Sequence, residues 1–384
     1  MTATPPLAIV AGYLAGNPVG GHVLSILHWL AGLRSLGYDV VFVEHHGWPD
    51  ACWNPATREL SDDPSYGLHE LDTHAKQLGL KAWCFVDAAG RYHGLAPQAV
   101  ASLCKTADVL LGLWTVTWLD QFADCRRRIF IDTDPGFTQF GMSADVRASL
   151  AFASPVDFHE HYSYGTRIGQ PDCPIPTHGI NWRPMRPPVA LDFLPVHYTP
   201  EAECFSTVMS WSPRKPIVYD GVEYGQKDIE FWKIVDLPSR VHPCLEIALG
   251  GRAPYHDIIA AGWRIADAAA VTRTPWTYRD YIAQSRGEFS VAVNLEVKTR
   301  SGWFSDRTAA YLASGKPAVV QDTGFSEDLP CVEGLFAFTT IDDAAAAIEE
   351  IQRDYRHHCA AARRIAEEHL DARKLLARIL DRTT

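Results

Sequence analysis

The sequence predicts two consecutive α/β units, each built on a doubly wound, Rossmann-like parallel sheet. Near the amino terminus, an apolar strand, a glycine-rich turn, an amphipathic helix and a second strand follow one another. A second series of strands and helices fills the carboxyl-terminal half, and a proline-rich stretch separates the two series. Strands that alternate with helices form parallel sheets. A chain of 384 residues also suggests about two or three domains, at ~150 residues per domain.

The first series begins with a buried strand at Leu7 to Leu14, followed by a turn at 15–21. From His22 to Gly37 the apolar residues recur at helical spacing, which predicts an amphipathic helix. The next strand is Tyr38 to Glu44. Further parallel strands are predicted at 107–114 and 128–132.

The prolines concentrated between Pro171 and Pro200 mark the boundary, because helices and central strands tolerate proline poorly. The two domains predicted are 1–195 and 196–384. The last helix is expected either to stay with the second domain or to pack back on the first. In the second domain the sequence predicts strands at 207–210, 217–219, 289–294 and 317–321, and helices at 306–314 and 341–380.

Composition narrows the classes of function. The formal net charge of -11 argues against a nucleic-acid partner, which requires a basic face. The nine cysteines include no Cys-x-x-Cys pair, which favours free thiols in a reducing compartment and a cytoplasmic location. No apolar stretch approaches the ~20 residues that a membrane span requires, so no transmembrane segment is predicted.

The most informative stretch runs from Ser301 to Gly324. A glycine-containing loop leads into a helix whose N-cap is predicted to be Ser305, and the free N–H groups at such a helix start attract anions. Gly315 ends the helix, and the next strand brings its following residues to the same edge of the sheet. The sequence therefore predicts an anion site at the start of this helix, and the candidate ligand-binding residues of the stretch are Ser301, Gly302, Ser305, Asp306, Arg307, Thr308, Asp322 and Gly324.

Arg307 is the least expected residue of this stretch. It lies in the first turn of the predicted helix, where the positive end of the helix dipole disfavours a cation. A bound phosphate would remove that objection and give the guanidinium a two-point partner. The alternative is a structural salt bridge to Asp306, Glu296 or another acid.

This stretch resembles the donor-site signature of GT-B glycosyltransferases, in which a helix ending in Ala-x-Gly-x-Pro leads into a Val-Val strand and then Asp-x-Gly. The resemblance implies two Rossmann-like domains facing across a cleft, with the helix start at the nucleotide diphosphate and the residues after the strand at the sugar. Most such enzymes hold the ribose with a Glu five residues before the helix-ending glycine. Here that position is Ala310, so Asp306 or Glu296 would have to replace it.

The resemblance also implies a cation after the first strand of the donor domain. Arg214, Lys215 and Lys227 are candidates, and Lys227 is favoured because a glycine turn precedes it. Arg300, immediately before the Ser301 loop, is a further candidate. The alternative for each of them is a solvated surface cation.

In the first domain, Gly20-Gly21-His22 resembles the glycine turn of the same enzymes. His22 is the candidate catalytic base, since an unperturbed histidine titrates near pH 6.5. Asp132, at a predicted strand end, is expected to orient His22 or to bind acceptor hydroxyls. The alternatives are a histidine with local hydrogen bonds and an ordinary Asp-containing turn.

The resemblance implies a glycosyltransferase of the hexosyltransferase type, which moves a sugar from a UDP- or dTDP-linked donor to a small-molecule or glycan acceptor. No cofactor and no metal are expected, and the weak metal candidates are Asp132-Thr-Asp134 and His159-Glu-His161. The alternatives are a nucleotide-sugar 2-epimerase and a catalytically silent module that binds a sugar nucleotide. Stereochemistry and acceptor identity stay open.

Overall fold

A computed structural model describes residues 4–114, 118–142 and 155–381. The chain forms two compact units. The first comprises 1–164, 177–190 and 372–384, and the second comprises 165–176 and 191–371. The predicted boundary after residue 195 assigns 165–176 to the first domain, whereas this segment packs with the second unit. The chain therefore passes from one unit to the other four times before its final helix.

The α-helices of the described residues, in chain order, are α1 (Gly20–Ser35), α2 (Ser65–Leu78), α3 (Pro97–Thr106), α4 (Phe137–Gly141), α5 (Lys227–Trp232), α6 (Tyr255–Ala260), α7 (Ala268–Val271), α8 (Pro275–Gln284), α9 (Asn294–Thr299), α10 (Asp306–Ala313), α11 (Ile341–Arg353), α12 (Tyr355–Ile365) and α13 (Ala372–Leu380). One π-helical turn, Ala366–Leu370, precedes α13. None of these helices is long and apolar enough to cross a membrane.

The strands of the described residues, in chain order, are β1 (Leu7–Ala11), β2 (Asp39–His45), β3 (Cys52–Asn54), β4 (Glu59–Ser61), β5 (Ala82–Val86), β6 (Tyr92–Gly94), β7 (Val109–Leu113), β8 (Arg128–Asp132), β9 (Glu160–Ser163), β10 (Trp182–Pro184), β11 (Cys204–Ser210), β12 (Ile217–Tyr219), β13 (Val222–Tyr224), β14 (Cys244–Gly250), β15 (Arg264–Asp267), β16 (Gly287–Ser290), β17 (Ala318–Gln321) and β18 (Leu335–Phe338).

The first unit is an eight-stranded sheet in the order β10-β9-β8-β7-β1-β2-β5-β6. All neighbouring pairs are parallel except β5 and β6. Strand β1 is buried throughout, which explains why it reads as an uninterrupted apolar run. Helix α13 packs on α1, where Gly32 leaves room for the Leu376 side chain. The carboxyl ends of β1, β2, β7 and β8 all lie at one edge of this sheet.

The second unit is a six-stranded sheet in the order β15-β14-β11-β16-β17-β18, with every pair parallel. Its core is formed by large apolar side chains such as Phe205, Phe231, Trp263 and Phe289. The strand predicted at 217–219 exists, but it pairs with β13 in a separate hairpin. In parallel α/β sheets, ligands bind outside the carboxyl ends of the strands. In this unit, the stretch from Ser301 to Gly324 lies at those ends.

The expectation that all the cysteines are free is wrong for Cys204 and Cys244, which form a disulfide. The two residues open the neighbouring parallel strands β11 and β14, where they are register partners with their Cα atoms 4.4 Å apart. No local pattern in the sequence indicates this pairing, because it depends on the register of two strands whose cysteines are 40 residues apart.

Candidate functional site

A recess of about 240 Å³ lies at the carboxyl edge of the second unit's sheet. Its walls come from the ends of β16 and β17, the loop before α10 and the first turn of α10. The lining residues are Ser290, Val291, Ala292, Trp303, Phe304, Ser305, Arg307, Thr308, Val320, Gln321, Thr323 and Phe325. Three of the residues predicted from the sequence, Ser305, Arg307 and Thr308, therefore meet in one place.

The predicted N-cap of α10 is confirmed. The Ser305 Oγ accepts a hydrogen bond from the Arg307 backbone N–H at 3.2 Å, and the Asp306 carboxylate accepts from the same N–H at 2.9 Å. The Thr308 side chain is buried, faces the recess and makes no hydrogen bond among the described residues. An unused hydroxyl at a helix N-terminus suits a ligand oxygen.

Arg307 already has an anionic partner inside the protein. Its Nε donates to Glu288 Oε1 at 2.6 Å, its Nη1 donates to the Val208 carbonyl at 2.8 Å, and its Nη2 donates to Ser290 Oγ. The Arg307 and Glu288 side chains are 9% and 0% exposed. This corrects the expectation that Arg307 needs a phosphate partner, because the Glu288 carboxylate already offsets the repulsion at the helix start.

The glycines predicted to contact the donor lie instead beneath the segment 165–176. A Cβ built on Gly302 would come within 2.9 Å of Arg167 Cγ, and one on Gly324 would come within 2.6 Å of Arg167 Cδ. Both glycines have positive φ angles, 77° and 96°. Their missing side chains therefore serve the close approach of Arg167. Ser301 is also fully buried, with its hydroxyl donated to Glu296.

Arg300 belongs to a cluster of four charges. Its Nε donates to Asp172 at 3.2 Å and its Nη2 to Glu327 at 2.5 Å. Arg167 pairs with the same two carboxylates. The charge of Arg300 is therefore matched by two acids that are distant in the sequence, and its assignment to the donor stays a prediction. Asp322 likewise has a local role, because its carboxylate accepts from Gly324 N at 2.9 Å and Ser326 Oγ at 2.9 Å.

Sequence reasoning missed the buried Glu230, which connects the strand ends below the recess. Its carboxylate accepts from Asn294 Nδ2 at 2.6 Å, from Gln321 Nε2 at 2.6 Å and from Lys233 Nζ at 2.7 Å. Gln321 in turn accepts from the Ala292 N–H at 3.1 Å. Lys227, the predicted phosphate ligand, is the half-buried first residue of the same helix, α5. It does not line the recess.

In the first unit, Gly20, Gly21 and His22 are the first three residues of α1. The His22 Nε2 lies 2.5 Å from the Tyr13 carbonyl oxygen, and the imidazole packs against the Trp114 ring with centroids 4.6 Å apart. Trp114 has a φ angle of 61°, which is rare for a bulky residue and typical of functional sites. His22 is half-buried, so this base candidate retains access to solvent.

Asp132 does not form the predicted dyad with His22. Its fully buried carboxylate accepts from Thr138 Oγ1 at 2.6 Å, from Gln139 Nε2 at 2.9 Å and from Ser163 Oγ at 2.6 Å. Burial raises the pKa of Asp132 to about 6, although these three hydrogen bonds oppose the rise. Within the described residues, Asp132 therefore organises the carboxyl edge of β8 and the first turn of α4.

Replacing Asp132 with asparagine is expected to change the pH dependence of stability. Because the folded-state pKa is raised above the ordinary 3.8, the folded protein binds this proton more tightly, and the wild type loses stability as the pH rises from about 4 to 6. At 1.36 kcal/mol per pKa unit, that loss is on the order of 2–3 kcal/mol. Urea unfolding of both proteins from pH 4 to 7 measures it. Parallel profiles would contradict the expectation, and the exposed Asp280→Asn is the control.

No group of three or more His, Cys, Asp or Glu side chains in the described ranges is placed to hold a metal ion. The two histidines considered for such a site have local partners. His159 Nδ1 accepts from the Arg128 N–H at 3.2 Å, and His161 donates to the Pro155 carbonyl at 2.6 Å. These contacts favour a structural role for the pair.

Solved structures similar to this chain are glycosyltransferases. An alpha-glucosyltransferase in complex with UDP-glucose and DNA containing an abasic site aligns with a TM-score of 0.61 and 11% identity, covering 98% of each chain. Anabaena HepE in complex with UDP and glucose aligns at 0.56 and 13% identity, covering 98% of this chain and 99% of that one. Sucrose-phosphate synthase from Thermosynechococcus elongatus aligns at 0.52 and 11% identity, covering 98% and 97%.

These structures share the GT-B fold of glycosyltransferases, and the present chain has that fold. No protein-family model matches the sequence, and no curated protein matches it. Identities of 11–13% establish the fold alone, because one fold supports many activities. The function is therefore proposed from the recess at α10 in the second unit and from the surroundings of His22 in the first.

Proposed function

We propose that the protein transfers a glycosyl group from a nucleoside diphosphate sugar to a hydroxyl group of an acceptor. The observation that carries the proposal is the recess at the N-terminus of α10, where the first turn of the helix and the unused Thr308 hydroxyl line one space. A helix N-terminus binds phosphate through its free N–H groups and its dipole. The same groups would stabilise the charge that develops on the leaving diphosphate.

The recess has the size for part of a donor. The recess is partly open, and its volume of about 240 Å³ includes open solvent, so it would contact a phosphate group of the donor and not enclose a complete sugar nucleotide. A uridine nucleotide is favoured over dTDP, since two of the similar structures were solved with UDP or UDP-glucose. The α10 N-terminus and the Thr308 hydroxyl would hold a phosphate without a metal ion.

The acceptor is proposed to react at the carboxyl edge of the first unit, where His22 would remove the proton of the attacking hydroxyl. A small molecule or a glycan is the favoured acceptor. One similar glucosyltransferase was solved with DNA, so the fold itself admits a nucleic acid. The net charge of -11 nevertheless favours an acceptor that lacks the phosphate backbone of DNA.

Replacing Thr308 with valine is expected to weaken donor binding by about 2- to 12-fold while leaving the fold intact, because the change removes one hydrogen bond worth about 0.5–1.5 kcal/mol. UDP, dTDP, GDP and ADP sugars are first screened by thermal shift, where a ligand at a hundredfold excess over its Kd stabilises by about 2.7 kcal/mol. Calorimetry then compares the wild type, Thr308→Val and the exposed control Thr57→Val. Equal affinities in all three would remove Thr308 from the site.

The products decide between the proposed transfer and its alternatives. Transfer predicts that release of the nucleoside diphosphate accelerates when an acceptor is added. Epimerisation predicts a changed sugar without an acceptor, and a silent module predicts tight binding with no turnover. A protein that binds none of the four classes of donor would refute the proposal.

A further inference from the structure

The tautomer of His22 is defined by a backbone carbonyl. The Tyr13 oxygen, 2.5 Å from His22 Nε2, can only accept a hydrogen bond, so Nε2 must carry a proton. In the neutral imidazole the lone pair then lies on Nδ1, which is the nitrogen able to act as a base. The Trp114 ring, 4.6 Å away, limits rotation of the imidazole. The Tyr13 carbonyl therefore contributes to both the position and the protonation of His22.

That carbonyl begins a loop that a buried carboxylate holds in place. Glu44, near the end of β2, is 1% exposed. Its Oε2 accepts from the Leu14 N–H and the Ala15 N–H, each at 2.7 Å, and its Oε1 accepts from the Gly16 N–H at 2.7 Å. The three N–H groups that directly follow the Tyr13 carbonyl therefore converge on one side chain. Hydrogen bonds to a carboxylate are stronger than neutral ones and more exacting in geometry.

The loop is also enclosed by close packing on both sides. A Cβ built on Gly16 would lie 2.2 Å from His46 Nε2, and one on Gly67 would lie 1.7 Å from the Ala15 carbonyl oxygen. His46 Nε2 is itself 2.7 Å from Glu44 Oε1, and the Trp53 N–H donates to the Gly16 carbonyl at 2.8 Å. A shift of the Glu44 carboxylate is therefore expected to move the backbone of the loop, because the close packing leaves no free space in which the side chain alone could move.

We propose that Glu44 is the positioning residue for His22 and acts through the backbone of 13–16. It takes the role expected of Asp132, whose carboxylate is occupied by Thr138, Gln139 and Ser163. The consequence for catalysis rests on the proposed glycosyl transfer, whereas the consequence for the tautomer does not. Glutamine at position 44 would aim amide hydrogens at backbone N–H groups, so the loop and its Tyr13 carbonyl would shift away from His22.

The test is ¹⁵N NMR of histidine-labelled protein, wild type and Glu44→Gln, with the exposed Glu59→Gln as a matched control. His22 is assigned among the 16 histidines by the signals missing in His22→Asn. We expect the Nε2–H tautomer in the wild type and the control, and a mixture of both tautomers in Glu44→Gln. Displacements of about 1 Å cost as much as 10² in rate, so kcat is expected to fall roughly 10- to 100-fold with the donor KM unchanged.

Two outcomes would overturn the proposal: a folded Glu44→Gln protein with the wild-type tautomer, or one with unchanged kcat. If Glu44→Gln does not fold, Glu44→Asp retains the charge with a shorter reach and takes its place. Its tautomer ratio is then expected to lie between those of the wild type and the loop variant Gly16→Ala, whose added methyl group would push against His46. A changed tautomer in a protein without transferase activity would refute the proposed function and leave the positioning role standing.

Discussion

Replacing Arg307 with alanine is expected to lower the free energy of unfolding by about 3–5 kcal/mol, because it leaves a buried carboxylate without its counter-charge. Glu288 is fully buried, and its second oxygen, Oε2, has no hydrogen-bond partner among the described residues. Its neutralisation therefore depends on Arg307 Nε, 2.6 Å from Oε1. The same change also leaves the Val208 carbonyl and Ser290 without their donor.

Urea unfolding of Arg307→Ala measures this loss. The control is Arg353→Ala, which breaks an exposed ion pair with Glu350, and such pairs contribute only about 0–1 kcal/mol. The double variant Arg307→Met with Glu288→Leu should recover most of the stability, since apolar residues often replace a buried ion pair without loss. An Arg307→Ala protein of unchanged stability and weakened donor affinity would instead restore the phosphate-binding role.

The sequence predicted the arrangement of elements wherever one local signal dominated. Strand β8 was predicted with its observed bounds, Arg128–Asp132, because it is a short apolar run with clear ends. The N-cap Ser305 was identified by its position before an amphipathic helix. The predicted strand 289–294 was instead divided, since β16 ends at Ser290 and Asn294 begins α9. The apolar residues 291–293 do not by themselves distinguish a strand from a buried connection.

The contacts within the candidate site could not be predicted from the sequence, because they join segments that are distant along the chain. Arg307 was correctly recognised as a cation in need of an anion, but Glu288 is 19 residues away and lies on a strand whose register decides the contact. The pairing of Arg167 with Glu327 spans 160 residues. It also explains why Gly302 and Gly324 are glycines, which the sequence analysis assigned to donor binding.

In the first unit, the partners of Glu44 likewise could not be predicted from the sequence. At the end of the second strand, an acid suggests a ribose ligand of a dinucleotide fold, and the missing glycine pattern upstream argued against that role. The structure gives the carboxylate three backbone N–H partners and a histidine. No role was predicted for Glu44, because its backbone partners lie 28–30 residues earlier in the chain, on the protein's own loop.

Replacing His22 with alanine is expected to reduce kcat by roughly 10²–10⁴, the usual contribution of a general base. Donor affinity should stay the same, because the proposed diphosphate site consists of second-unit residues. The imidazole packs against Trp114, so its removal leaves a space beside an aromatic ring that added imidazole can enter. Partial rescue of kcat by imidazole is therefore expected for His22→Ala.

His22→Gln separates the base from the hydrogen bond, because a glutamine amide can donate to the Tyr13 carbonyl but cannot accept a proton from the acceptor. Its kcat is expected to be as low as that of His22→Ala, with the loop and the thermal stability preserved. Rates are compared at saturating donor, and calorimetry reports donor affinity separately. If His22→Ala turns over at nearly the wild-type rate, the histidine is structural, and a retaining mechanism that needs no such base becomes the better account of transfer.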